Sequence, residues 1–403
     1  MTNRWRSQEN RLVVAQPWHH PARTASGRVA LGRDYLSGAS NVTHGRAYRT
    51  RADPCQAAAV TRGQTQQRVE WVDIAKGVAI LLVVAHHAVL FMDGYHWLPE
   101  SVVRLNDTLA TFRMPLFFLA SGLFAGRTLA GSWSLVWRKR VLFFAYLYVL
   151  WVVIRFVFFA VVNNVTAPDE GSHPVDLLAA LVLPETGLWF IYALAVFSAV
   201  TWAIWRVPVW VQLAGASAMS VLAAVGALHL TNYAWNAMAL YLLFFLLGCR
   251  CRGPIERVAS RLSTFRVSVA VALYLAATVA VSAFDLQSVP GVWLALSLLA
   301  VSAGVALAVA VSGRLVGRPL RYLGQRTIDI YLPHVMILGG ITALISATVG
   351  DFTGAVAVAL VPALMIVVTA VSLLLASGLR ASGARFLFAL PPALTPKTKA
   401  PAV

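Results

Sequence analysis

From Trp71 onward the chain is a succession of apolar stretches, each long enough to cross the roughly 30 Å of hydrocarbon in a bilayer. They recur near 72–92, 108–126, 141–160, 188–205, 209–228, 234–249, 267–284, 290–312, 327–347 and 353–379. In lipid every backbone N–H and C=O must find its partner inside the protein, which leaves helices or a closed barrel, and these lengths are helical. The expected fold class is therefore all-α, a polytopic membrane helix bundle of about ten transmembrane helices, with the membrane domain over 69–380. Composition agrees, since only 12% of residues are charged against about a quarter in a soluble domain. A soluble enzyme and a disordered chain are excluded. Three cysteines, Cys55, Cys249 and Cys251, are too few for a disulfide framework, and no metal site is expected.

The net charge of +17 would suggest nucleic acid in a soluble chain, but here topology accounts for it. Lys and Arg are retained on the cytoplasmic side during insertion. One set of loops carries eighteen bases, from Arg127 and Arg138 to Lys399, against the single acid Glu256; the opposite set carries nine acids against Arg104 alone. Both termini are thus expected to be cytoplasmic, with the longest loop, about 161–187, facing outward. Residues 1–68 hold eleven Arg and three acids with no secretory apolar core, and read as a disordered, Arg-rich cytoplasmic tail. Residues 381–403 read as a second cytoplasmic tail. The lipid bilayer is the expected partner and nucleic acid is not.

Charge at membrane depth costs several kcal/mol, so each ionisable residue inside a span is a functional candidate. The first span presents Asp73, Lys76, His86 and His87. Eleven steps of 100° separate Lys76 from His87 and return to within about 20° of the start, so the two share a face about 16 Å apart along the axis. Asp73 lies close to the same stripe, whereas His86 is rotated about 100° away. His87 is therefore the better candidate for a general base, because a neutral imidazole accepts a proton. Asp73 and Lys76 also fit a simple i,i+3 ion pair. In the second span Arg113 needs an anionic partner such as Asp73, Asp107 or a substrate group, and Pro115 interrupts the local hydrogen-bond ladder. Arg155 in the third span has weaker context. In the ninth, Pro333 removes the hydrogen bond owed to the Asp329 carbonyl, and Tyr331 and His334 form a second polar pair. Asn164-Val165-Thr166 is a glycosylation sequon on the outer loop.

The run Asp73-Ile-Ala-Lys76-Gly77 through His86-His87, a basic residue separated by ten from a histidine, resembles the opening of the acyltransferase-3 membrane family. So do Arg113-Met-Pro-Leu-Phe-Phe-Leu-Ala-Ser121-Gly122, Leu188-Trp189-Phe190-Ile-Tyr192, Phe244-Phe-Leu-Leu-Gly248, and Leu323-Gly324 through Tyr331-Leu-Pro-His334, in order across roughly 70 to 380. The resemblance implies an integral membrane O-acyltransferase, with acetyl-CoA or another acyl-CoA as donor and a hydroxyl of an envelope or extracellular glycan as acceptor, set in a bacterial inner membrane. It implies His87 as the base, with Lys76 or Arg113 neutralising developing charge. Arg113 stands where many fucose acetylase-like members carry another polar residue. Arg138, Lys139, Arg140 and Arg326 are the candidates for the donor's phosphates, although most loop bases are what insertion alone requires. Trp189 and Tyr192 could stack on a sugar or simply anchor at the interface; Asp73, Asp329, Tyr331 and His334 complete the substrate-side candidates.

The competing class is a proton-coupled transporter or flippase, in which Asp73, His87, Asp329 and His334 form a relay. Paired broken helices in an inverted repeat would favour it, and the sequence shows no such repeat. A third possibility is a non-catalytic membrane subunit.

Overall fold

A computed structural model describes residues 54–391 and 394, apart from 169, 185, 229 and 231, with backbone only over 54–69. The tail expected at 1–68 lies outside the described residues as far as residue 53. From Pro54 the chain is already helical, and this first helix, α1 (Pro54–Gly94), runs unbroken into the first expected span.

Among the described residues the fold is helical throughout. After α1 come α2 (Glu100–Thr108), α3 (Ala110–Leu129), α4 (Trp133–Val136), a π-helical turn over Trp137–Val141, α5 (Leu142–Phe159), α6 (Val175–Ala179), α7 (Trp189–Ala203) and α8 (Val209–Ala224). The second half comprises α9 (Tyr233–Arg250), α10 (Arg252–Ala259), α11 (Thr264–Ala283), α12 (Val292–Val311), α13 (Gly317–Gly324), α14 (Thr327–Tyr331), α15 (His334–Thr348) and α16 (Gly354–Ala381). Eight helical segments are long and apolar enough to cross a membrane, and α7 and α8 are shorter apolar helices at the fourth and fifth expected positions. The split between those two falls at Pro208, the N-cap of α8. There Gln212 Nε2 donates to the carbonyls of Ile204 and Val207 and closes the turn.

Glycine decides which helices come closest. In α3 and α9, Gly122 and Gly248 face each other so tightly that a Cβ on either would lie 2.2 Å from Phe245 O or 2.3 Å from Leu119 O. Small residues of this kind let membrane helices approach backbone to backbone. Gly77 of α1 and Gly324 of α13 do the same: a Cβ at Gly77 would lie 1.9 Å from Leu320 O, and one at Gly324 1.7 Å from Asp73 O. The Lys76-Gly77 dipeptide of the first span thus has a packing reason for its second member. Over its most apolar 18 residues the Glu100–Leu129 segment is 78% buried and sits at the centre, whereas the same stretch of α11 is 11% buried and lies at the rim.

Two breaks place polar groups. The second expected span is jointed at Leu109, between α2 and α3. Pro115, by contrast, lies within an uninterrupted α3. The ninth span is broken at Leu332-Pro333, between α14 and α15, because proline has no N–H to continue the ladder. Beyond α16 the chain turns back onto the bundle: Tyr146 Oη donates to Phe386 O, Trp151 Nε1 donates to Leu387 O, and Phe388 is buried.

Candidate active site

Two cavities enter the bundle from opposite ends. The first, about 280 Å³, has Glu100 and Arg104 at its exposed mouth and His86, His87, Arg113, Arg155, Trp189 and Tyr331 among its deeper lining. The second, about 230 Å³, is lined by Lys76, Lys139 and Arg140 with Phe117, Phe124 and Thr327. Phe190 and Tyr331 belong to both linings, so two aromatic side chains form the partition. Tyr331 is held there by its hydroxyl, which donates to Gly187 O at 2.7 Å. Phe190 stacks on Phe117 with ring centroids 4.4 Å apart.

The polar stripe of α1 spans both cavities. Lys76, its lower member, lines the second, 3.6 Å from Asp73 and over the ring of Phe124 at 4.7 Å. His87, three turns on, lines the first. Its Nδ1–H donates to Val83 O at 3.0 Å. A carbonyl only accepts, so in the neutral ring the lone pair is on Nε2. That atom lies 3.5 Å from the position a Cβ would take on Gly187. Lys76 therefore does not share a cavity with His87, and the two roles first assigned to a single centre are separated.

His86, set aside on helical-wheel geometry, also lines the first cavity. The bundle surrounds α1 with partners on more than one side, so a 100° rotation does not take a residue out of the interior. Asn106 explains how His86 is held. Its Nδ2 and Oδ1 lie 3.0 and 3.1 Å from His86 Nδ1. Arg113 Nη1 donates to Asn106 Oδ1 at 3.2 Å and to Asn106 O at 2.8 Å. A guanidinium only donates, so it keeps the amide oxygen on its own side and turns the NH₂ group towards His86. His86 then carries its proton on Nε2, the reverse of His87.

His334 is brought against His87 by the break at Pro333. The rings meet edge to face with centroids 4.8 Å apart, and His334 Nδ1–H donates back to Tyr331 O at 2.5 Å. His334 is wholly buried, and its Nε2 has no hydrogen-bond partner among the described residues. Sequence spacing placed His334 and Tyr331 on another helix from His87; tertiary packing makes them one cluster.

Several sequence candidates lie elsewhere. Asp73 is buried between Lys76 and Gln325, whose Nε2 donates to Asp73 Oδ2 at 3.1 Å. Asp329 is engaged end-on by both terminal nitrogens of Arg380, at 2.5 and 2.6 Å, and lines neither cavity. Tyr192 packs against Tyr148 and Trp235 instead of facing the first cavity. Arg138 lies in a separate surface groove with Trp133 and Trp137, and Arg326 stacks on Tyr322. Lys139 and Arg140 do reach the second cavity, carried by the π-helical turn, a feature common at functional sites. Arg140 Nη2 is buried there with no hydrogen-bond partner among the described residues. A buried donor of this kind suits an anionic or carbonyl ligand.

Arg155 and Glu170 are the pair that the sequence left unassigned. Arg155 is 6% exposed. Its Nε and Nη2 both donate to the Glu170 carboxylate, which is also held by Asn164 Nδ2 at 2.5 Å. Asn164 in turn accepts from Thr166 N and Oγ1. The sequon asparagine is thus 1% exposed and its side chain is committed to the loop. An arginine inside an apolar helix was the available signal; its acid, fifteen residues on in a loop, was not predictable from spacing.

The cluster of His86, His87 and His334, beside two cavities partitioned by aromatic side chains, sits within a polytopic helical membrane bundle. The chain belongs to the acyltransferase-3 family: the family's acyltransferase domain matches residues 69–377. It is an integral membrane acyltransferase, transferring groups other than aminoacyl groups. No curated protein and no solved structure matches it.

Proposed function

We propose that the protein moves an acyl group, acetyl in the simplest case, from acyl-CoA at the basic face to a glycan hydroxyl entering at the acidic face. The observation that carries this is the pair of cavities meeting at Phe190 and Tyr331, with His87 on one side and three cations on the other. On the positive-inside rule the basic face is cytoplasmic. The donor is then inside the cell and the envelope glycan outside, as in a bacterial inner membrane.

Lys76, Lys139 and Arg140 supply charge for an anionic donor, and Arg140 Nη2 is a buried donor still to be satisfied. The slender acyl-bearing arm passes between Phe190 and Tyr331. His87 Nε2 takes the proton of the acceptor hydroxyl as its oxygen bonds to the thioester carbonyl carbon. The carbon–sulfur bond then breaks, the thiolate recovers the proton from His87, and the ester and free thiol leave by opposite mouths. Asn106 and Arg113 keep the neighbouring His86 ring with its proton on Nε2, a donor form that suits a hydroxyl oxygen being held in place. Trp189, in the first cavity and parallel to Tyr241 at 6.0 Å, offers a face for a sugar ring.

The test is incubation of membranes with radiolabelled acetyl-CoA, comparing wild type with His87→Ala. Label entering glycan only when His87 is intact is the expected result; equal labelling removes His87 from the mechanism.

A further inference from the structure

The first cavity holds a cation that acid–base transfer by His87 alone does not use. Glu170 occupies Nε and Nη2 of Arg155, and Nη1 faces Gly187. A Cβ built on Gly187 would lie 3.1 Å from Arg155 Nη1 and 3.5 Å from His87 Nε2. The two nitrogens therefore stand no more than the sum of those distances, about 6.6 Å, apart across the space a side chain at residue 187 would fill. Reacting atoms about 3 Å from both groups fit that separation. Lys76 is in the other cavity, and Arg113 Nη1 is committed to Asn106, so neither of the cations suggested by sequence faces this space as directly.

We propose that Arg155 Nη1 binds the thioester carbonyl oxygen as it becomes an oxyanion, that Glu170 is its positioning residue, and that Gly187 is a glycine so that the reacting carbonyl can sit between Arg155 and His87. This rests on the acyl-transfer reading above and adds the electrophilic half of the site. As the acceptor oxygen bonds to the carbonyl carbon, the carbonyl π pair moves to oxygen and is held by the guanidinium. It returns as the carbon–sulfur bond breaks and sulfur leaves with the electron pair. The acceptor's proton stays on His87 Nε2 until the departing thiolate takes it. A guanidinium fixed by a bidentate carboxylate is preorganised for this, since no side chain needs to turn when charge develops. The Asn164 and Thr166 hydrogen bonds extend that rigidity into the loop.

The experiment uses the full-length protein, purified in detergent and returned to membranes containing the native glycan, with radiolabelled acetyl-CoA as donor and coenzyme A as the binding probe. Arg155→Lys is expected to lower the transfer rate at saturating donor by about a hundredfold, the scale of losing one oxyanion donor. Coenzyme A affinity should stay within twofold. Glu170→Gln should lower the same rate less, again at unchanged coenzyme A affinity, which a general loss of structure would not reproduce. Gly187→Ala removes neither charge and decides the matter if the charged-site variants do not fold: a methyl group there, 3.1 Å from Arg155 Nη1, should fill the gap and cut transfer at least tenfold. Wild-type transfer by folded Arg155→Lys, or by Gly187→Ala, overturns the proposal. If His87→Ala is inactive in the same assay, the acyl-transfer reading survives that failure; if His87→Ala is also fully active, both fall.

Discussion

Replacing Gly324 with alanine tests the packing on which the α1 stripe depends. The new Cβ would lie 1.7 Å from Asp73 O and 3.0 Å from Gly77 N, whereas ordinary contact begins at 3.4 Å. Helices α1 and α13 would have to part by about 1.7 Å at that point, and the obstacle is backbone on both sides, so no side chain can swing away. Overpacking of this kind costs about 1–3 kcal/mol. The Gln325–Asp73 hydrogen bond, 3.1 Å long and one residue away, would stretch beyond bonding range, and a bond to a charged group adds about 1.5–3 kcal/mol. Together the expected loss is about 2.5–6 kcal/mol. It should appear as a clear fall in the melting midpoint of the detergent-purified protein. Gly215→Ala is the control: Gly215 is also helical, but a Cβ there meets nothing within 4 Å. Relief of glycine's backbone entropy should leave that variant as stable as wild type or up to about 1 kcal/mol more so. If Gly324→Ala melts with Gly215→Ala, the close approach of α1 and α13 is not what holds this region.

Arg140→Ala should raise the acyl-CoA concentration needed for half-maximal transfer by about ten- to a hundredfold, the equivalent of one charge-assisted hydrogen bond; a donor titration giving the wild-type value would remove Arg140 from the donor site. Asp329→Asn breaks the Arg380 pair, in which the aspartate side chain is 7% exposed and the arginine 42%. Solvent screening of the arginine reduces the cost to about 1–2 kcal/mol, so the melting midpoint should drop while folded protein keeps its transfer rate. Lost transfer at unchanged stability would return Asp329 to the site.

Hydropathy and the sign of loop charge are local properties, and they were enough to specify a helical membrane bundle. The α1 stripe was legible too, because helical geometry alone puts Lys76 and His87 on one face. The sequence also carried the break at Pro333, since a missing N–H is a property of one residue. What surrounds each polar group was another matter. Asp329 finds Arg380, fifty-one residues on, and Arg155 finds Glu170 in a loop. His334 meets His87 only because a broken helix turns its first residue inward. None of these pairs follows a helical repeat, for each joins separate elements whose relative placement is a matter of tertiary packing. The sequence by itself determined that charges would lie within the membrane domain, because their cost there is paid wherever they fall. Only the tertiary structure decided which were neutralised as scaffold and which faced a cavity, because that depends on what the neighbouring helix places opposite.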